Sequence, residues 1–116
     1  MSSCGYTINI YAANVDIPCP AVIMIHNTAS QIDQVGTIRG SKSWSAWTSK
    51  SAFSENGIKW NIEINRILAE SKEEALEKAR AIASNIELKK TTNARFNNPY
   101  YFCEYGYANL NLVGEK

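Results

Sequence analysis

The chain holds one histidine, His26, and three cysteines, Cys4, Cys19 and Cys103. His26 with Cys19 and Cys103 is the one combination that resembles a nucleophile with its base. A thiolate is reactive at neutral pH beside an imidazole or another positive charge, and the imidazole needs a third group to orient it. Cysteine is also among the most buried residue types and commonly fills apolar space, while a histidine at a strand end commonly serves as a hydrogen-bonded edge residue. The structural reading is preferred, and no catalytic residue is assigned. The cysteines are odd in number, widely spaced and without a C-x-x-C pair. Their spacing suggests neither a disulfide framework nor a cysteine-rich zinc site, and no metal or cofactor is expected. The sequence contains no Gly-rich phosphate loop, H-E-x-x-H pair or G-x-S-x-G elbow.

Two aromatic groups are candidates for binding. Arg39, Lys42, Trp44, Trp47, Lys50 and Phe53 interleave cations with rings. Single-stranded nucleic acids are held that way, with bases on the rings and phosphates on the cations. The same pattern fits a lid whose tryptophans are buried, or a protein contact, where Trp, Tyr and Arg concentrate the energy. The second group is Tyr100, Tyr101, Phe102, Tyr105 and Tyr107. Strand alternation puts Tyr101, Cys103, Tyr105 and Tyr107 on one face and Tyr100, Phe102 and Glu104 on the other. One aromatic face serves the core, so the other is open to a second element, a pocket, a partner chain or a second copy. The carboxylates Glu63, Glu70, Glu73, Glu74 and Glu77 read as a wet strand face and a helix start.

The elements that position these residues follow from periodicity. Tyr6, Ile8 and Ile10 alternate with polar neighbours as a half-buried strand. A turn is expected through Asn14, Asp16, Pro18 and Pro20, and the short apolar run Ala21 to Ile25 reads as a strand buried on both faces. Val35 to Arg39 is a weaker strand, ended by Gly40. The serine-rich stretch from Gly40 to Gly57 is compatible with a long ordered loop or a short helix. Ile58, Trp60, Ile62 and Ile64 alternate with Lys59, Asn61, Glu63 and Asn65, a strand with one dry and one wet face. Ser71-Lys72-Glu73-Glu74 matches a capping box. Leu76, Ala79, Ile82, Ala83 and Ile86 then form one apolar stripe, which predicts an amphipathic helix from about Lys72 to Leu88, with Lys89 and Lys90 just beyond its end. A polar loop spans Thr91 to Pro99. Tyr100 to Tyr107 is expected as a strand with a bend at Gly106, and Ala108 to Val113 as the last strand.

With 116 residues the chain is one domain's worth, and 45% hydrophobic against 20% charged residues is ordinary globular usage. Twelve basic and eleven acidic residues leave a formal charge of +1, which weighs against a dedicated nucleic-acid binder. No basic, apolar secretory leader opens the sequence, and no apolar run reaches the ~20 residues that span a bilayer. A reduced, cytoplasmic setting without membrane contact is the expectation. The fold class expected is α+β: a single domain over residues 1–116 whose mostly antiparallel sheet of four to six strands carries one principal helix on one face.

The order of segments resembles the permuted papain-like domains, the branch that includes lecithin retinol acyltransferase-like amidases and acyltransferases. The resemblance runs through the strand Tyr6 to Tyr11, the run Ala21 to Ile25, the Ser/Trp segment, the pair from Ile58 to Leu88 and Asn97-Asn98-Pro99-Tyr100-Tyr101. Where that family carries its histidine this chain has Pro20 and Ala21, and no Asn-Cys segment follows. The resemblance therefore implies a non-catalytic relative or fragment, and binding rather than turnover. Three functions are carried forward. The first is a protein-interaction module, of inhibitor or immunity type, using Arg39, Lys42, Trp44, Trp47, Tyr100, Tyr101 and Tyr105 toward a protein partner or in a homodimer. The alternatives are a cysteine-dependent amidase or acyltransferase using Cys19 or Cys103 with His26, and single-stranded nucleic-acid binding through Arg39 to Phe53.

Overall fold

The computed structural model describes residues 13–87, 92–106 and 109–116, so the expected strand Tyr6 to Tyr11, the residues Lys89 and Lys90, and Tyr107 lie outside the described residues. Within them the chain is α+β, and every strand pair is antiparallel. Eight strands are present: β1 (Ala13–Pro18), β2 (Gln34–Thr37), β3 (Ser43–Trp47), β4 (Phe53–Glu55), β5 (Ile58–Leu68), β6 (Asn93–Asn97), β7 (Tyr100–Tyr105) and β8 (Asn109–Glu115). They form one sheet in the order β1-β6-β7-β8-β5-β3-β2, with β4 also paired to β5. Two helices, α1 (Val22–Thr28) and α2 (Lys72–Asn85), accompany them. The expectation of four to six strands and one principal helix is corrected to eight and two.

The extra elements have local causes. Ala21 to Ile25 is not a strand: Ile25, Thr28, Ala29 and Ile32 are buried while Ile23 is 53% exposed. That i, i+3, i+4, i+7 spacing is a helical stripe, carried on past α1 by a 3₁₀ turn at Ala29–Gln31. The segment from Asn14 is a strand rather than a turn, and it lies at the sheet edge, where prolines are tolerated. The polar stretch before Pro99 holds β6, in which Ala94 and Phe96 face inward and Asn93, Arg95 and Asn97 outward. The serine-rich stretch divides into β3, a connecting loop and β4. The Asn61 amide orders that loop by donating to the Thr48 carbonyl and hydroxyl, each at 3.0 Å, and to the Lys50 carbonyl at 3.1 Å.

Strand β5 and helix α2 form where their patterns place them, although α2 ends at Asn85, with Ile86 already extended, rather than running on to Leu88. Ile58, Trp60, Ile62 and Ile64 are fully buried. The pairing with β3 slips between Ala46↔Ile64 and Trp44↔Ile67, so Ile67 returns to the dry face. Arg66 takes the left-handed backbone in that bulge, with φ of 59°. In α2 the Glu74 amide donates to the Ser71 hydroxyl at 3.1 Å, the expected cap. The Glu74 carboxylate accepts from the Glu70 amide at 2.6 Å rather than from the cap residue itself. Ala75, Ala79 and Ala83 are fully buried; their small side chains let α2 lie close over β2, β3 and β5.

One hydrophobic cluster joins the helices to the inner face of the sheet through Ile25, Ile32, Trp60, Ile62, Ala79, Tyr105 and Leu112 among others. Gly114 sits beneath Trp60, where there is no room for a side chain. A covalent tie completes this layer. Cys19, between β1 and α1, is disulfide-bonded to Cys103 of β7, with Cα atoms 5.8 Å apart. The expectation of unpaired cysteines is corrected: 84 residues separate the two, but the fold brings their Cα atoms within bridging distance. No helix of the described residues is long and apolar enough to cross a membrane.

Candidate functional site

Both helices of the described residues and the disulfide lie on one side of the sheet, and none of the described residues forms a helix on the opposite face. Register aligns its outward residues into rows. Asn14, Arg95, Phe102, Val113 and Asn61 stand side by side across β1, β6, β7, β8 and β5. The next row is Glu104, Asn111, Glu63 and Trp47. On the other side of the first row run Asn97, Tyr100, Glu115 and Lys59. Tyr100 and Trp47 are 42% and 37% exposed, large rings left wet where Trp60, Tyr101 and Tyr105 are at 8% or less. Tyr100 meets Phe102 edge-on at 6.4 Å. The Trp47 ring lies over Gly36, whose missing side chain makes space for it.

Three shallow depressions adjoin on this face and share Glu104. One, of about 490 Å³, has Tyr100, Phe102 and Val113 as its apolar part and Arg95, Glu104 and Asn111 as its polar part. A second, of about 580 Å³, opens beside β1 and includes Asn14, Asn93 and Arg95. It sits where β1 bulges away from β6, between the pairs Asn14↔Arg95 and Pro18↔Asn93. A chain of hydrogen bonds fixes the β3–β5 side: Ser45 donates to Asn65 at 2.7 Å, and Asn65 to Glu63 at 3.1 Å. Among the described residues neither Arg95 nor Glu104 takes part in an ion pair.

The residues singled out from the sequence divide between the two faces. Trp47 and Tyr100 belong to the helix-free face. Trp44 turns inward, packs against the core and donates its indole N–H to the Ala69 carbonyl at 2.9 Å. Tyr101 and Tyr105 are core residues at 8% and 2% exposure. Arg39 and Lys42 are exposed near the β2–β3 turn, and Lys42 is ion-paired with Glu70 at 3.0 Å. Trp44 and Trp47 thus point to opposite sides of β3, and the cation–aromatic series from Arg39 to Phe53 does not converge on one surface. Arg95, Glu104, Asn111 and Val113 were missed as binding candidates. The alternation of Ala94 and Phe96 with polar neighbours was the signal for Arg95.

The catalytic combination is likewise not assembled. Cys19 and Cys103 are bonded to each other, so neither sulfur is a thiolate. The His26 Nε2–H donates to the Ile86 carbonyl at 2.7 Å, which anchors α1 to the end of α2. Tyr105 donates its hydroxyl to the Pro20 carbonyl at 2.5 Å. Burial first, and the Glu55 charge second, push its phenol above the usual range, so it stays a protonated donor. No cluster of metal-binding side chains occurs among the described residues. Comparison with family models, curated proteins and solved structures gives no match.

Proposed function

We propose that this chain is a non-catalytic protein-interaction module, of inhibitor or immunity type, that meets a protein partner with the helix-free face of its sheet. The observation that carries this reading is the aromatic pair Tyr100 and Phe102 beside Arg95 and Glu104, with the wet Trp47 three strands away on the same face, which no helix of the described residues covers. Interface centres are enriched in aromatic residues and Arg, with polar groups around them, and a few such residues supply most of the binding energy. The disulfide weighs against the cysteine-dependent enzyme, and the opposed tryptophans weigh against the nucleic-acid platform. The resemblance to permuted papain-like domains also implies binding, although the segment that stood for that family's second strand is helical here. The expected cytoplasmic setting rested in part on cysteines read as reduced. The Cys19–Cys103 bridge favours an oxidising compartment instead, where such bonds persist.

The test is a pair of pull-downs from the native source, one with the wild-type chain and one with Trp47→Ala/Phe102→Ala, both baits checked by circular dichroism. A stoichiometric protein retained by the first and lost by the second is the expected result. A protein retained equally by both overturns the assignment of this face.

A further inference from the structure

We infer that the helix-free face is self-complementary and that two copies of this chain pair through it. This rests on reading the face as a protein-contact surface, and it names the partner such a surface fits. Arg95 and Glu104 stand on neighbouring strands, offset by one pleat: Arg95 is registered with Phe102, and Glu104 lies two residues further along β7. Although they are diagonal neighbours, they form no ion pair with each other. A twofold axis lying in the face midway between them carries each onto the other of a second copy. Such an axis makes two Arg95–Glu104 pairs at once, as an isologous contact requires. Phe102 lies close to that axis, with Tyr100 and Val113 beside it, so the apolar part meets its own image.

The remaining charges do not oppose this arrangement. Lys59 and Glu115 stand opposite one another across β5 and β8, and Glu63 is engaged by the Asn65 amide. A face of one sign would repel its copy, whereas this one carries both signs in close to equal number. Its size is also suitable. Strands of about six residues at ~3.4 Å, across seven strands ~4.8 Å apart, give a projected face of roughly 600 Å² before side-chain relief is counted. A standard interface takes about 800 Å² of accessible surface from each partner. The free chain then shields its wet aromatics by pairing, and a larger protein target competes for the same surface.

The experiment is sedimentation equilibrium of the full chain over a wide concentration range, for the wild type, Arg95→Glu, Glu104→Arg and the double exchange. The wild type is expected to move with concentration from the 12.9 kDa chain mass toward twice that value. Each single reversal puts like charges face to face and is expected to weaken pairing by about a hundredfold. The double exchange restores the opposite pairs and the dimer. All four chains should show the same thermal melt when dilute, which separates lost pairing from lost folding. A wild type that stays monomeric at every concentration overturns the inference, as does a double exchange no better than the singles. If pairing fails while pull-down still depends on Trp47 and Phe102, self-association falls and the interaction-module reading stands.

Discussion

Breaking the Cys19–Cys103 bridge should be the most damaging mild perturbation of this fold. The bridge spans 84 residues. Closing a loop of that length removes about 15 cal/mol/K of entropy from the unfolded chain, worth about 4.5 kcal/mol at room temperature in the chain-entropy account. At roughly 2.1 cal/mol/K per residue, 116 residues unfold with an entropy of about 0.24 kcal/mol/K, so Tm should fall by roughly 15–20 °C. The reduced protein should nonetheless fold when cool, because other bonds hold the same segment. The Cys19 amide donates to the Thr92 carbonyl at 2.9 Å, and Tyr105 donates to the Pro20 carbonyl. The assay is a thermal melt followed by circular dichroism with and without reductant, repeated on Cys19→Ser/Cys103→Ala. Alkylation followed by mass spectrometry should label both positions only after reduction. A fall in Tm below about 5 °C in both experiments would refute the argument, since the unfolded chain would then lose almost nothing when its loop opens.

Gly114→Ala should destabilise the protein by about 1–3 kcal/mol in denaturant unfolding, the usual cost of overpacking. The new methyl would come 2.5 Å from Ile58 Cγ2 and 2.7 Å from the Trp60 ring, in the fully buried core; unchanged stability would show that Trp60 can move aside. Asp33 accepts from the Ser49 amide at 2.8 Å and from its hydroxyl at 2.6 Å, which holds its carboxyl below the ordinary value of 3.8. A lowered folded value contributes stability above the ordinary carboxylate range and loses it as pH falls through the lowered one. Asp33→Asn should therefore flatten the acid limb of a Tm-against-pH profile, and an unaltered limb would count against the role.

The parts of the fold legible in the sequence were those with long, clean periodicity. Strand β5 and helix α2 show seven or more residues of one period together with a cap, and there local preference and tertiary demand agree. The run Ala21 to Ile25 was misleading because five apolar residues fit either a buried strand or a buried helix. The deciding residues, Thr28, Ala29 and Ile32, lay beyond the run. The disulfide was illegible for a different reason: it depends on β1 folding back to the sheet edge two strands from β7, a non-local arrangement that spacing does not encode. The aromatic strand was half legible. Its alternation placed Tyr101 and Tyr105 on one side and Tyr100 and Phe102 on the other, but not which side the helices cover. The sequence-based binding set therefore mixed core residues with surface ones.

The arrangement of cross-links bears on what the open face can do. The disulfide, the Tyr105–Pro20 hydrogen bond, the His26–Ile86 hydrogen bond and the buried alanines of α2 all lie on the covered side or at its margin. They stiffen the sheet from behind. The open side is tied on its β3–β5 half by the Ser45–Asn65–Glu63 chain and by the Asn61 bonds to Thr48 and Lys50. Among the described residues Arg95 and Glu104 enter no ion pair and remain available to a partner. A rigid platform loses little conformational freedom on association, which lowers the cost of binding. Covering what remains exposed of Tyr100 or Trp47 contributes roughly 1.5–2.5 kcal/mol each at ~25 cal/mol per Å². Those rings supply affinity without direction. Direction comes from Arg95 and Glu104, whose opposite charges favour one orientation of a second surface over others. If the rings and the charges act in this divided way, truncating Phe102 should weaken association without changing its salt dependence. Reversing Arg95 should change both.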